Sequence, residues 1–265
     1  MKSKEANRSF SAATRVGNQH SCNEDTWGEV GNLFWVIDGA SRPSALADKC
    51  LTTCDYVKTL SASIFKNYSD TLPLQDILAK SIQNSMSSNC EEVHPSAAIA
   101  MVRKINNHAE WLLLGDCFIF YSQDSHVKAL TDNRLGTIAC DQRTALRNAR
   151  KVKVSKQRID DLARDLVLAE CSKRNVDGGY WIASDNPSAA YQSITGKLDV
   201  KKPIILSTDG VLPSIGDGLL FDTLEHFYQE CLSSDADKLV HKAGKYLQDS
   251  PVITKVDDIT VMKIQ

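Results

Sequence analysis

Apolar runs that end in an aspartate at a glycine-containing turn recur along this chain, and they limit its architecture more than any other feature. Trp35-Val36-Ile37-Asp38-Gly39, Leu113-Leu114-Gly115-Asp116 and Leu206-Ser207-Thr208-Asp209-Gly210 each read as a buried strand that delivers a carboxylate to a sheet edge. Glu24-Asp25, after Asn23, and Asp257-Asp258, before Ile259, flank further strand signals. A single Asp-Gly turn is ordinary, because both residues suit turns for conformational reasons alone. Several carboxylates delivered from separate elements to one place are different, since they must be neutralised by cations or take up protons.

The rest of the pattern is strand-rich blocks broken by helical pairs, which argues for an α+β fold with antiparallel sheets covered by helices rather than a strand-helix alternation. Ser9 to Thr14, Leu33 to Ile37, Ala97 to Val102, Glu110 to Leu114, Cys117 to Tyr121, Ile204 to Leu206 and Ile259 to Met262 are predicted strands. Helical stripes run through Leu46, Cys50, Cys54, Val57, Leu60 and Ile64, and through Leu74, Ile77, Leu78 and Ile82 behind Pro73. Further helices are expected around Leu162 to Cys171, Leu220 to Cys231 and Leu239 to Leu247, with a turn at Asp185-Asn186-Pro187 leading to a short helix at Ala189 to Tyr191. Residues 132–158 are polar with little periodicity and read as irregular, residues 1–8 read as a disordered N-terminus, and 9–265 as one domain.

Composition excludes several functions. A net charge of -2 offers no field that would gather nucleic acid or anionic lipid nonspecifically. No apolar run approaches the roughly 20 residues a membrane span needs, and no apolar segment follows the basic start Met1-Lys2 as a secretory leader would require. A cytoplasmic protein with neither nucleic-acid nor membrane partners is expected. The 8 cysteines are scattered singly, and they read as reduced; Cys50 and Cys54, four apart on a predicted helix, are the nearest to a pair and read as buried hydrophobes.

Oxygen-only donors select hard ions such as Mg²⁺ or Mn²⁺, whereas zinc sites usually recruit His or Cys. The chain has no HExxH, no GxxxxGK[ST] phosphate loop, no complete GxGxxG and no GxSxG nucleophile turn.

Taken in order, Asn23-Glu24-Asp25, Val36-Ile37-Asp38-Gly39, Gly115-Asp116, Ser207-Thr208-Asp209-Gly210 and Asp257-Asp258-Ile259-Thr260-Val261 resemble the successive motifs of the metal-dependent Ser/Thr protein phosphatases of type 2C, in a divergent, bacterial-like form. The resemblance runs from about residue 9 to the C-terminus. It implies a four-layer α-β-β-α sandwich of two antiparallel sheets flanked by helices. It also implies a signalling activity, the hydrolysis of phosphoserine and phosphothreonine in proteins, by water held between two Mn²⁺ or Mg²⁺ ions about 3.5 to 4 Å apart. A phosphorylated protein is the implied substrate and a cognate Ser/Thr kinase the implied partner. Carried over by position, Asp38 resembles the carboxylate bridging both ions, with the Gly39 carbonyl on the first ion and Asp209 and Asp257 on the second. Glu24 and Asp25 would contribute directly or through metal-bound water, and Asp116 resembles the acid that recruits a weaker third ion. Asp257 is preferred over Asp258 by strand register with Ile259 and Val261.

Two positions depart from the family. His20 stands where the family commonly carries a phosphate-binding arginine, so a permanent bidentate donor is replaced by an imidazole that is fully charged only below about pH 6.5. Ala40-Ser41-Arg42-Pro43 replaces the Gly-rich segment after Gly39, and Ala40 has no proton to give; Arg42 is an alternative phosphate contact. These departures leave a catalytically weak phosphatase-like binding or regulatory module as one alternative; a small-molecule phosphatase, which would share the site and differ only in the surrounding surface, is another.

Overall fold

The computed structural model describes residues 9–18, 21–40, 51–86, 94–251, 253 and 255–265. His20, Arg42, Leu46, Cys50 and residues 1–8 lie outside the described residues. Two five-stranded antiparallel sheets face each other. The first has the order β1-β10-β9-β6-β7, formed by Phe10–Arg15, Ile259–Ile264, Ile204–Ser207, Phe118–Gln123 and His126–Leu130. The second has the order β2-β3-β4-β5-β8, formed by Asp25–Val30, Leu33–Ala40, Ser96–Ile105, His108–Leu114 and Ile194–Asp199.

Strand β3 shows why the sequence builds this sandwich. Its apolar run does not alternate with polar residues because both faces are covered. Leu33, Trp35 and Ile37 point into a core shared with helices α1 (Thr53–Asn67) and α2 (Leu74–Ser85), whereas Phe34 and Val36 point into the core between the sheets, against Leu206, Met262 and Ile264. A third core lies on the far side of the first sheet. There Ile205, Ile259 and Val261 meet helices α5 (Leu224–Ser233) and α6 (Ala236–Gln248) through Phe227, Leu239, Val240 and Ala243. The result is the expected four-layer α-β-β-α arrangement.

The stretch read as irregular is largely helical. Between β7 and β8 the chain forms α3 (Cys140–Lys151) and α4 (Lys156–Cys171), which pack on each other outside the sandwich. In α3 only Leu146 and Ala149 are buried, so no apolar stripe marks it; its Arg, Gln, Ala, Leu and Lys content, all strong helix formers, was the available signal. Helix α4 is capped by Ser155, whose side chain accepts from the Arg158 N–H.

The cysteine expectation is also corrected. Cys22 and Cys54 form a disulfide with Cα atoms 6.5 Å apart, tying the loop before β2 to the first turn of α1. The two positions are 32 residues apart and meet only in the fold. No described helix is long and apolar enough to cross a membrane.

Candidate active site

Antiparallel topology brings the acidic turns to one end of the sandwich. Asp25 opens β2 and pairs in register with Asp38 near the end of β3, which in turn lies opposite Ala98 of β4. Gly115-Asp116 joins β5 of one sheet to β6 of the other, while Asp209 follows β9 and Asp257-Asp258 precede β10 on adjacent strands of the first sheet.

Asp38 is the centre of this group. Burial, then the charges of Asp25, Asp209, Asp116 and Asp257, hold its carboxyl well above the ordinary carboxylate range. Burial, followed by Asp116 and Asp257, pushes Asp209 up to about 7, even though it accepts a hydrogen bond from Asp38. Asp25 is buried at 6% exposure and is raised mainly by that burial, against hydrogen bonds from Thr208 and Thr260 that favour its ionised form. Asp116 is raised too, chiefly by burial. Carboxylates from both sheets thus share one poorly hydrated space, and without a cation they hold protons that free aspartates would have lost.

Polar neighbours of these aspartates, most of them within the same motifs, fix this geometry. Thr208 Oγ1 donates to Asp25 Oδ2 at 2.7 Å and accepts the Thr260 N–H at 3.0 Å, so one hydroxyl links the two sheets beneath the site. Asp258 is buried, and its two oxygens accept the N–H groups of Gly17 at 2.7 Å and Glu24 at 2.6 Å. Its carboxylate is therefore engaged in holding the β1–β2 connection, while the adjacent Asp257 is exposed and contributes its charge to Asp38, Asp116 and Asp209. Asn23 accepts the Asp25 N–H at 2.9 Å. The Glu24 carbonyl accepts the Gly39 N–H at 3.0 Å, and a Cβ added to Gly39 would lie 2.8 Å from that carbonyl oxygen and 2.5 Å from Thr53 Cγ2. Glycine is required for this close approach. Gly115 has φ +84°, and the buried Asp132 accepts its N–H at 3.4 Å while bonding Arg134, which steadies the turn that presents Asp116.

The donor set suits a hard divalent cation: carboxylate oxygens, the half-buried end of a strand at Gly39, and a surplus of like charge. Among the described residues, no group of three or more acidic, His or Cys side chains is drawn together tightly enough to form a finished coordination sphere.

No family model and no curated protein matches this chain. Solved structures do. The serine/threonine phosphatase MsPP of Mycobacterium smegmatis, solved with cacodylate, is 16% identical with a TM-score of 0.56, over 97% of both chains. The catalytic domain of the phosphatase PstP, solved with two manganese ions, is 13% identical with a TM-score of 0.56 over 96% of both chains. The S. agalactiae serine/threonine phosphatase is 13% identical with a TM-score of 0.59, over 96% of this chain and 97% of that one. The chain has the PPM Ser/Thr phosphatase fold.

Within this PPM fold, one cation beside the carboxylates escaped the sequence reading. Arg143 of α3 pairs with Glu170 of α4 at 2.5 Å and donates to the carbonyls of Ile138 and Leu135. Its charge lowers the proton affinity of both Asp116 and Asp209. It belongs to the segment read as irregular, and only recognition of α3 as a helix would have pointed to it.

Proposed function

We propose that this chain hydrolyses phosphoserine and phosphothreonine esters in proteins with the help of bound Mn²⁺ or Mg²⁺. The observation that carries the reading is the convergence of Asp25, Asp38, Asp116, Asp209 and Asp257 from both sheets at one end of a PPM phosphatase fold. The manganese ions of the PstP structure support divalent-metal dependence by analogy.

Asp38 and the Gly39 carbonyl are the proposed holders of one ion, Asp38, Asp209 and Asp257 of the second, and Asp116 of a weaker third, with Glu24 and Asp25 contributing directly or through bound water. Bound at such a site, divalent ions lower the pKa of water and polarise a phosphoryl group. The chain's own residues supply the surroundings. Thr208 and Asp258 lock the carboxylate-bearing strands across the sheets, the raised proton affinity of Asp38 and Asp209 creates the demand for positive charge, and Arg143 adds a fixed cation at the rim. His20, outside the described residues, is retained as the proposed phosphate contact that substitutes for an arginine.

The regulatory-module reading draws on Ala40, which follows Gly39 at the end of β3 and offers no proton to a leaving group. Turnover of p-nitrophenyl phosphate in EDTA, Mn²⁺ and Mg²⁺, followed by a phosphopeptide panel, separates the two. Metal-dependent turnover lost in Asp38→Asn supports the enzyme, and undiminished turnover in chelated protein refutes the metal-assisted reading.

A further inference from the structure

The helical pair α3–α4 encloses a groove of about 1010 Å³ that neither the fold nor the carboxylate cluster accounts for. Arg143, Arg147, Arg150, Lys151, Lys153 and Lys156 line it. No acidic side chain and no aromatic ring is among the described lining residues. Its floor is apolar, provided by Leu146, Ile159 and Leu166. Apart from Arg143, these cations are exposed, and none of them forms an ion pair among the described residues. In a chain of net charge -2, such a concentration of unneutralised positive charge in a concave surface is local rather than a reflection of composition.

One residue connects the groove with the site. Arg143 lines the groove and also acts electrostatically on Asp116 and Asp209, and Pro251, another lining residue, lies on the segment that leads to Asp257. A polypeptide whose phosphorylated residue sits at the carboxylate cluster would therefore run on into the groove.

We propose that the α3–α4 groove is a substrate-docking site for acidic polypeptide, and that it selects phosphoproteins carrying Asp or Glu residues next to the phosphorylated position. This rests on the phosphatase reading of the carboxylate cluster. Basic side chains over an apolar floor suit a peptide, whose carboxylates meet the rim while its carbon chains cover Leu146 and Ile159. Single-stranded nucleic acid is disfavoured, because such sites add aromatic rings on which bases stack, and the lining has none.

The test uses the full chain with Mn²⁺. Steady-state constants are measured for p-nitrophenyl phosphate and for phosphothreonine peptides that differ only in acidic, neutral or basic flanks, at low and high salt. The comparison protein is Arg147→Glu/Arg150→Glu/Lys153→Glu, with the corresponding triple alanine variant as a milder control. Binding of a fluorescent unphosphorylated acidic peptide, and of an RNA oligomer of equal charge, is followed by anisotropy. The acidic peptide should exceed the neutral one in kcat/KM by about tenfold or more at low salt, mainly through KM, and salt should erode the difference. Charge reversal should abolish that preference, and alanine should reduce it, with p-nitrophenyl phosphate constants unchanged. Rates indifferent to flank charge, a preference that survives charge reversal, or tighter binding of the RNA would each overturn the proposal. If p-nitrophenyl phosphate is not turned over, the phosphatase reading fails and anisotropy still decides the groove. Acidic-peptide binding lost on charge reversal supports a docking surface, and no binding refutes it.

Discussion

Replacing Asp209 by asparagine should stabilise the metal-free protein. In the folded chain the Asp209 carboxyl is pushed from its ordinary 3.8 up to about 7, first by burial and then by Asp116 and Asp257. The folded state thus holds this proton more tightly than the unfolded chain, and the stability it contributes is present below about pH 4 and lost as pH rises toward about 7. Each pKa unit corresponds to about 1.4 kcal/mol, so ionising Asp209 in the fold costs roughly 4 kcal/mol at pH 8. Partial solvent access reduces that to roughly 2–3 kcal/mol. Asparagine keeps the shape without the charge. In EDTA at pH 8, Asp209→Asn should melt about 4–10 °C above the wild type, and the gap should shrink to a small remainder by pH 4.5. Added Mn²⁺ should raise the melting point of the wild type by mass action, and that of the variant much less. Thermal unfolding across this pH series, with and without Mn²⁺, is the assay. A variant less stable than the wild type at pH 8 in EDTA, or an advantage that does not fade on acidification, would refute the account of a carboxylate cluster that needs cations.

Asp258→Ala should lower stability by roughly 3 kcal/mol or more, measured by urea unfolding, because the N–H groups of Gly17 and Glu24 lose a charged, buried acceptor. Gly39→Ala should reduce turnover about tenfold or more while costing roughly 1–3 kcal/mol of stability, since its Cβ would press on the Glu24 carbonyl that neighbours the site; kinetics and melting curves on the same preparation check both. Cys54→Ser should cost roughly 3–4 kcal/mol, the entropy of opening a loop with separation 32, and alkylation under non-reducing conditions should leave Cys22 and Cys54 unmodified in the wild type.

Strands buried on both faces were legible in the sequence, because runs such as Leu33 to Ile37 and Ile204 to Leu206 have few other uses in a chain of this kind. The edge strand β1 was expected as well, but the edge strands β7 and β8 were not. β7 and β8 are mostly exposed or half-buried and carry Lys, Thr and Asp, so they look like loop until a neighbour pairs with them. Of the acidic cluster, the aspartates were visible as strand-end residues, whereas the part played by the groups that hold them was not. Thr208, Thr260 and Asp258 acquire their roles only when β9, β10 and the β1–β2 connection meet. Arg143 and the basic groove were hidden because α3 buries only Leu146 and Ala149, leaving hydrophobic periodicity nothing to detect. The Cys22–Cys54 pairing joins residues distant in sequence and has no spacing signature.

The pairing of β1 with β10, which sets Phe10 opposite Ile264, also orders events in time. The centre of the first sheet needs the last strand of the fold, so a chain emerging from the ribosome has Asp25 and Asp38 available long before Asp257 can join them. Closing so large a loop is entropically slow, and until it closes β1 and β9 both present unpaired edges. Nascent or truncated chains are therefore the species most exposed to aggregation, and they lack the assembled cluster. The carboxylate cluster is therefore complete only once β10 has been made, and a chain that stops short of this strand lacks the segment that carries Asp257 into place.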